Sequence, residues 1–188
     1  MSTRSTIAIR RFDGSMTKIY CHWDGYIEYN GFMLQKYYNT PDKIEELLKL
    51  GALSSLGERV NPIGEHSFGK PEEGTTVAYH RDRGEELYFC NNSQEEEYNY
   101  VFNCHAGEWY VTYGEYKSGV EVSPAAKILG DTYTCLDTTK LLLDGILEAD
   151  LTHSIFTDED KEDCIEKAKE GKKVAEEQRE EYFDRPLF

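Results

Sequence analysis

The stretch YNYVFNCHAGEWYVTY, residues 98–113, contains two runs of strand-forming side chains separated by a short turn. Residues 98–103 and 108–113 are rich in aromatic and β-branched residues, which favour strands. We expect the two runs to pair across 104–107 as an antiparallel hairpin. Because side chains alternate along a strand, Tyr98, Tyr100 and Phe102 share one face of the first strand. Trp109, Val111 and Tyr113 share one face of its partner.

A second hairpin is expected near the start of the chain. Residues 6–10 and 17–23 are β-rich, and Asp13-Gly14 between them is a favourable tight-turn dipeptide. Residues 75–80 return to a strand pattern, and residues 87–90 are a further candidate strand. Together these segments predict an antiparallel sheet.

Two packed helices are expected beside the sheet. The first begins after Thr40-Pro41 and ends near Gly51, because Thr suits an N-cap, Pro the first turn and Gly the end of a helix. The second spans roughly 137–149. Residues 51–74 are rich in Gly, Pro, Ser and Asn, and predict a long loop between the first helix and the next strand.

The tail from Thr157 to Tyr182 predicts a charged C-terminal helix with a thin apolar stripe, which is typical of a helix on the surface or fraying from it. The sequence therefore predicts an α+β fold: an antiparallel sheet, two packed helices and a charged C-terminal helix. We expect one domain over residues 1–150 and a helical extension over 151–188.

Charge is distributed unevenly along the 188 residues. The net charge is −15, and residues 91–188 hold 23 acidic and 10 basic residues, against 13 and 11 in residues 1–90. The acidic half begins at Glu95, Glu96 and Glu97, which are candidate partner-binding residues. Such a balance argues against binding to duplex nucleic acid or an anionic membrane, and permits a protein that presents negative charge to a basic partner.

Several classes of protein are excluded or disfavoured by what the sequence lacks. No apolar run approaches the ~18 residues of a membrane span, and the first residues contain no apolar signal segment, so we expect a soluble, cytoplasmic protein. The five cysteines are scattered and are expected to be reduced, mostly buried thiols. The histidines and cysteines lack metal-site spacing, and we expect neither a metal nor another cofactor.

Two blocks, residues 19–26 and 77–86, carry the strongest chemical signal. Each starts as an apolar strand and ends in a polar cluster closed by Gly, a place where side chains from different strands can gather around a ligand. If the two strands are neighbours, aromatic rings and guanidinium groups suited to a nucleobase or phosphate come together. The alternative is a core tryptophan, Arg–Asp salt bridges and turns. The candidate binding residues are His22, Trp23, Asp24, Tyr26, His80, Arg81 and Arg83.

Catalysis by these groups has less support. If the strand continues past Cys21, His22 and Asp24 share a face, while the thiol points away from them. A hydrolase using His22, Asp24 and His80 is therefore one hypothesis, but no catalytic spacing supports it, and we do not expect an enzyme.

The chain resembles a family of small proteins from bacterial phages and mobile elements. The shared blocks lie within residues 2–113 and include STRSTIA (2–8), IYCHWDGY (19–26), YNTP (38–41), LSSLG (53–57) and VAYHRDRGEE (77–86). The family has no assigned chemistry, so no functional residues are carried over. The resemblance implies a phage-type accessory protein that acts inside a bacterial host.

Three functional hypotheses follow. The first is a protein that binds and inhibits a host defence machine of the anti-CRISPR or anti-restriction type, by nucleic-acid mimicry. Its partner would be a host nuclease or nucleic-acid-binding complex. The second is a binder that sequesters a nucleotide immune signal through the cluster around Trp23 and Arg81. The third is the nucleotide-directed hydrolase. The phage context and the charge asymmetry favour the first.

Overall fold

A seven-stranded sheet forms the centre of the computed structural model, which describes residues 2–90, 95–114 and 138–184. The strand order is β4-β3-β2-β1-β5-β6-β7. The strands are β1 (Ser5–Arg10), β2 (Met16–Cys21), β3 (Leu53–Ser55), β4 (Val77–Ala78), β5 (Tyr98–Asn103), β6 (Glu108–Tyr113) and β7 (Thr138–Leu141). The helical elements are a π-helical segment (Ile27–Gly31), α1 (Phe32–Tyr37), α2 (Pro41–Leu48), α3 (Tyr79–Arg83), α4 (Leu142–Glu148) and α5 (Asp158–Phe183).

The α+β class is confirmed, but the sheet is mixed and not antiparallel throughout. β1 pairs parallel with β5, and β2 pairs parallel with β3. Tight turns fix the antiparallel pairs β1–β2 and β5–β6, whereas the two parallel pairs join strands far apart in sequence. The direction of such long-range pairs is set by tertiary packing, which the turn signals do not encode.

Both expected hairpins form. Tyr100 lies opposite Val111 and Phe102 opposite Trp109, and all four side chains are buried. In the first hairpin, Gly14 has a φ of +82°, a left-handed conformation that glycine adopts without strain. These two hairpins place β1 and β5 side by side at the centre of the sheet.

Several expected boundaries are wrong. The strand expected over 75–80 shortens to β4, because residues 79–83 turn into α3. The loop over 51–74 contains β3, and residues 87–90 form no strand, although the amide of Cys90 donates to the carbonyl of Lys18. The π-helical segment and α1 are additions that the sequence did not indicate.

The helix expected over roughly 137–149 is correct from Leu142 onward. Its first described residues, 138–141, instead form β7 against β6, and residue 137 lies outside the described residues. The short α4 that follows packs Leu142, Gly145 and Ile146 into the core. The core lies between the helices and the sheet face that carries Ile7 and Ile9.

The C-terminal helix forms where expected and is docked on the domain. Thr157 and Asp160 form a reciprocal capping box at its start, and Cys164, Ala168, Gly171 and Ala175 are buried. The side-chain amide of Asn39 donates to the backbone carbonyl of Lys167 at 3.1 Å, which ties the helix to the loop before α2. None of the helices among the described residues is long and apolar enough to cross a membrane.

Candidate functional site

The expected pocket requires the two motif blocks, residues 19–26 and 77–86, to lie on neighbouring strands. They do not. β3 lies between β2 and β4 in the sheet. The amides of His22 and Trp23 donate to the carbonyls of Leu53 and Ser54, so β3 occupies the edge that the second block would need. The candidate residues are therefore distributed over separate local clusters.

The first cluster lies where β2 ends. Asp24 has a φ of +56°, so the chain leaves the strand and His22 and Asp24 do not share a strand face. The hydroxyl of Tyr20 lies 2.7 Å from Nδ1 of His22, while Asp24 accepts a hydrogen bond from Tyr26 at 3.2 Å. No hydrogen bond or ion pair joins His22 to Asp24, so the pair that a hydrolase would use is not assembled.

The turn after β2 packs so closely against the N-terminal segment that only glycine fits at position 25. A Cβ atom at Gly25 would lie 2.7 Å from the carbonyl carbon of Arg4, closer than real contacts allow. The amide of Gly25 donates to the carbonyl of Thr3, and its own carbonyl accepts from the buried hydroxyl of Tyr100. The block 19–26 thus anchors the N-terminal segment, which gives it a structural role. Trp23 is 45% exposed, with its ring 4.7 Å from that of His22.

The second cluster surrounds α3, and Arg81 is committed to the fold there. Its guanidinium donates to the carboxylate of Asp82 and to the carbonyls of Val60 and Thr76. A guanidinium held by three internal acceptors has little capacity left for a phosphate. Arg81 therefore fastens the loop before α3 to the sheet.

The remaining α3 candidates are exposed. Arg83 pairs with Glu85 at 3.2 Å, and its guanidinium lies 5.0 Å from the ring centroid of Phe68. Nδ1 of His80 lies 2.7 Å from the carbonyl of Glu85. These contacts close the turn after α3 and leave the outer face of Arg83 accessible.

A buried His–Asp pair lies beside Arg81 and was missed from the sequence. Nε2 of His66 lies 3.1 Å from Oδ2 of Asp82, and the two side chains are only 3% and 4% exposed. The amide of Glu72 donates to Nδ1 of His66, so the neutral ring carries its proton on Nε2 and donates to Asp82. Burial keeps this pair away from substrates. No sequence signal links His66 to Asp82.

The described thiols are poor nucleophiles. Cys21, Cys90, Cys104 and Cys164 are buried and reduced, as expected, and Cys135 lies outside the described residues. Burial raises the pKa of Cys21 and Cys90 to about 11 and that of Cys104 and Cys164 to about 12. Since the thiolate is the reactive form, these four residues do not suit covalent catalysis at neutral pH.

Residues 95–97 are folded back onto the sheet. The carboxylate of Glu97 accepts from the amide of Arg4 at 2.6 Å, and Asn99 bonds both the amide and the carbonyl of Glu96. Glu95 and Glu96 are partly buried, whereas Glu97 is exposed. Of these three candidate partner-binding residues, Glu97 is the most exposed.

The more prominent acidic surface lies on α5. Six of the nine residues from Asp158 to Glu166 are acidic, and one is basic. A shallow depression there is lined by Glu159, Glu162, Asp163, Ile165 and Glu166. We name these four carboxylates and Ile165 the α5 acidic face.

Tyr26 faces a different site from the one expected. It lines a cavity of about 290 Å³ together with Glu28, Tyr29, Asp150, His153, Ser154 and Ile155. None of the other candidate binding residues lines this cavity. It lies between the π-helical segment and the loop that joins α4 to α5.

The function of these clusters is indicated neither by a metal-binding group among the described residues nor by a similar protein. Within residues 2–90, 95–114 and 138–184, no group of three His, Cys, Asp or Glu side chains could hold a metal ion. No protein-family model, curated protein or solved structure matches the chain.

Proposed function

We propose that the protein is a phage-type accessory protein that inhibits a host defence complex of the anti-CRISPR or anti-restriction type by binding it in the bacterial cytoplasm. The partner is a nuclease or nucleic-acid-binding complex with a basic channel. The inhibitor takes part in no chemical step and binds neither duplex nucleic acid nor membranes. The observation that carries the proposal is the α5 acidic face.

The spacing of these carboxylates supports nucleic-acid mimicry. Glu159, Glu162, Asp163 and Glu166 follow the i, i+3, i+4, i+7 pattern, which places them on one side of a helix with neighbours about 5–6 Å apart. A rigid row of negative charges at that spacing resembles the phosphates of a nucleic-acid strand. Basic channels recognise such rows largely through charge.

The docking of α5 supports a rigid array. Lys36 pairs with Asp160 and lies 3.4 Å from Asp163, and Lys161 donates to the carbonyl of Ala149 at 2.9 Å. Three carboxylates of the α5 acidic face are exposed. Glu166 pairs with Lys169 at 2.7 Å, whereas Glu159 and Glu162 form no ion pair with any described residue. They are therefore available to a basic partner without breaking internal contacts.

The test compares two charge-reversal variants of the same helix. Glu159→Lys/Glu162→Lys changes the α5 acidic face, and Glu176→Lys/Glu177→Lys makes the same change in charge at exposed positions outside it. We expect the wild type and the control variant to restore plating of a phage that the host's restriction or CRISPR system targets. We expect the face variant to lose that effect.

A pull-down from the defended host provides the binding readout. Capture of the defence complex should weaken steeply between low and high salt, because charge–charge contacts are screened. Salt-independent capture would contradict mimicry. Equal loss in both variants would show that net charge, and not the α5 acidic face, is responsible.

A further inference from the structure

The cavity beside Tyr26 is preformed by the loop that joins α4 to α5. The hydroxyl of Ser154 donates to the carbonyl of Glu28 at 2.9 Å, which fixes the loop against the π-helical segment. Phe156 is buried and stacks on Phe32 at 4.8 Å, with an interplanar angle of 12°. A ligand would therefore enter this space without first ordering the loop.

Two tyrosine rings form an aromatic corner in this cavity. The ring centroids of Tyr26 and Tyr29 are 6.5 Å apart, and the ring planes meet at 62°. Both rings are partly exposed. The face of a tyrosine ring is electron-rich, so this corner favours a positively charged group.

Two carboxylates complete the walls. Asp150 accepts hydrogen bonds from the amide and hydroxyl of Thr152, which lower the pKa of its carboxyl group and keep it ionised at neutral pH. Neither Glu28 nor Asp150 has a lysine or arginine bonded to it among the described residues. No lysine or arginine lines the cavity. The imidazole of His153 lines it, and His153 and Lys161 lie near enough to Asp150 to help lower the pKa of its carboxyl group.

We propose that this cavity binds a guanidinium or alkylammonium group, which lies against the rings of Tyr26 and Tyr29 and is neutralised by Glu28 and Asp150. A phosphate or nucleotide would be repelled by the two carboxylates. An uncharged apolar ligand would desolvate them without compensation. A volume of about 290 Å³ is sufficient for one alkyl cation.

The cation has two possible sources that share this chemistry, namely a free organic cation or an arginine side chain of a protein. This assignment does not depend on the α5 acidic face, because none of the residues of that face lines the cavity. Loss of counter-defence activity in the face variant would leave it unaffected.

The test is a calorimetric titration of the full-length protein at low salt. The probes are butylguanidinium as the free cation, the tripeptide acetyl-Ala-Arg-Ala-amide as the protein side chain, and butylurea as the uncharged isostere of butylguanidinium. We expect one or both cations to bind with a Kd below about 1 mM, and butylurea not to bind measurably. Tighter binding of the tripeptide identifies a protein arginine as the source, and tighter binding of butylguanidinium identifies a free cation.

Three variants connect binding to the cavity. Asp150→Asn keeps an oxygen for Thr152 and removes the charge, and Tyr26→Leu removes one ring; each should weaken binding by about tenfold. Glu86→Gln, an exposed residue that does not line the cavity, should leave binding unchanged. A thermal melt of each variant checks that it is folded. Equal binding of butylurea, or binding unaffected by Asp150→Asn and Tyr26→Leu, would overturn the proposal.

Discussion

At the scale of single residues, Asp82 illustrates how a polar group that resembles a catalytic one stabilises the fold. Burial alone would raise the pKa of its carboxyl group. Hydrogen bonds from Arg81, the amide of Ala78 and His66 outweigh burial and lower the pKa to about 2. The carboxylate is thus strongly stabilised in the folded protein, as a structural ion pair requires.

This pKa predicts how the contribution of Asp82 to stability depends on pH. The folded pKa of about 2 is below the ordinary value of 3.8, so the stabilisation is complete above about pH 5 and is lost as the pH falls towards 2. We expect Asp82→Asn to reduce the free energy of unfolding by about 2 kcal/mol at pH 7. Urea unfolding at a series of pH values should show this difference narrowing below pH 4.

A matched control is available on α4. Asp144 is exposed, and Asp144→Asn should change the free energy of unfolding by less than about 0.5 kcal/mol at every pH. A difference between wild type and Asp82→Asn that stays constant from pH 7 to pH 3 would contradict the argument.

The two arginines of α3 should behave differently from each other. Arg81→Ala leaves the carbonyls of Val60 and Thr76 and the carboxylate of Asp82 without a guanidinium donor, so we expect a loss of about 3 kcal/mol. Arg83 forms an exposed pair with Glu85, and Arg83→Ala should lose less than about 1 kcal/mol. Chemical denaturation of the two variants in parallel measures both. Equal losses would show that Arg81 is not the structural member of the pair.

The contacts of the candidate residues could not be predicted from the sequence. Gly-closed strand ends are visible as a pattern, whereas the insertion of β3 between β2 and β4 depends on tertiary pairing of only three residues. For the same reason His66 gave no signal, because its partner is 16 positions away across a loop. The cavity beside Tyr26 involves residues 150–155, which no motif joined to residues 26–29.

At the scale of elements, the close docking of α5 depends on a glycine, Gly171. A Cβ atom at Gly171 would overlap the carbonyl oxygen of Asn39, so only glycine permits the helix to approach this closely. Glycine inside a helix ordinarily lowers stability by about 0.5–1 kcal/mol relative to alanine. The glycine at this position indicates that close docking stabilises the protein by more than the low helix propensity of glycine destabilises it.

We therefore expect Gly171→Ala to destabilise the protein, although Ala is the better helix former. The clash with Asn39 should exceed the gain in propensity and leave a net loss of about 1–2 kcal/mol. Limited proteolysis should then cleave α5 faster than in the wild type. Gly69→Ala, at a position with no atom within 4 Å of an added Cβ, should leave both the stability and the proteolysis rate unchanged.

The elements that the sequence predicted well are those with local determinants. Both hairpins, α2 and α5 contain their own turn or cap signals, such as Gly14, Pro41 and Thr157. The π-helical segment and α1 lack such signals and are stabilised by packing, with Phe32 and Leu34 fully buried. Propensity is a weak guide where tertiary contacts determine the conformation.

At the scale of the whole molecule, the net charge of −15 opposes folding through self-repulsion. Ion pairs such as Arg11–Glu45, at 2.5 Å, act in the opposite direction. Contacts this short are screened less by salt than repulsion between charges separated by more than a Debye length of about 10 Å. Added salt should therefore remove more repulsion than attraction.

We expect the melting temperature to rise by about 3 °C, equivalent to about 1 kcal/mol, between about 10 mM and about 500 mM potassium chloride at pH 7. Glu159→Gln/Glu162→Gln removes two exposed carboxylates from the α5 acidic face, so it should melt at a higher temperature than wild type at low salt and gain less from added salt. Differential scanning calorimetry measures both quantities. A melting temperature that falls with salt would mean that the ion pairs outweigh the repulsion. In that case the excess negative charge would carry no penalty in stability.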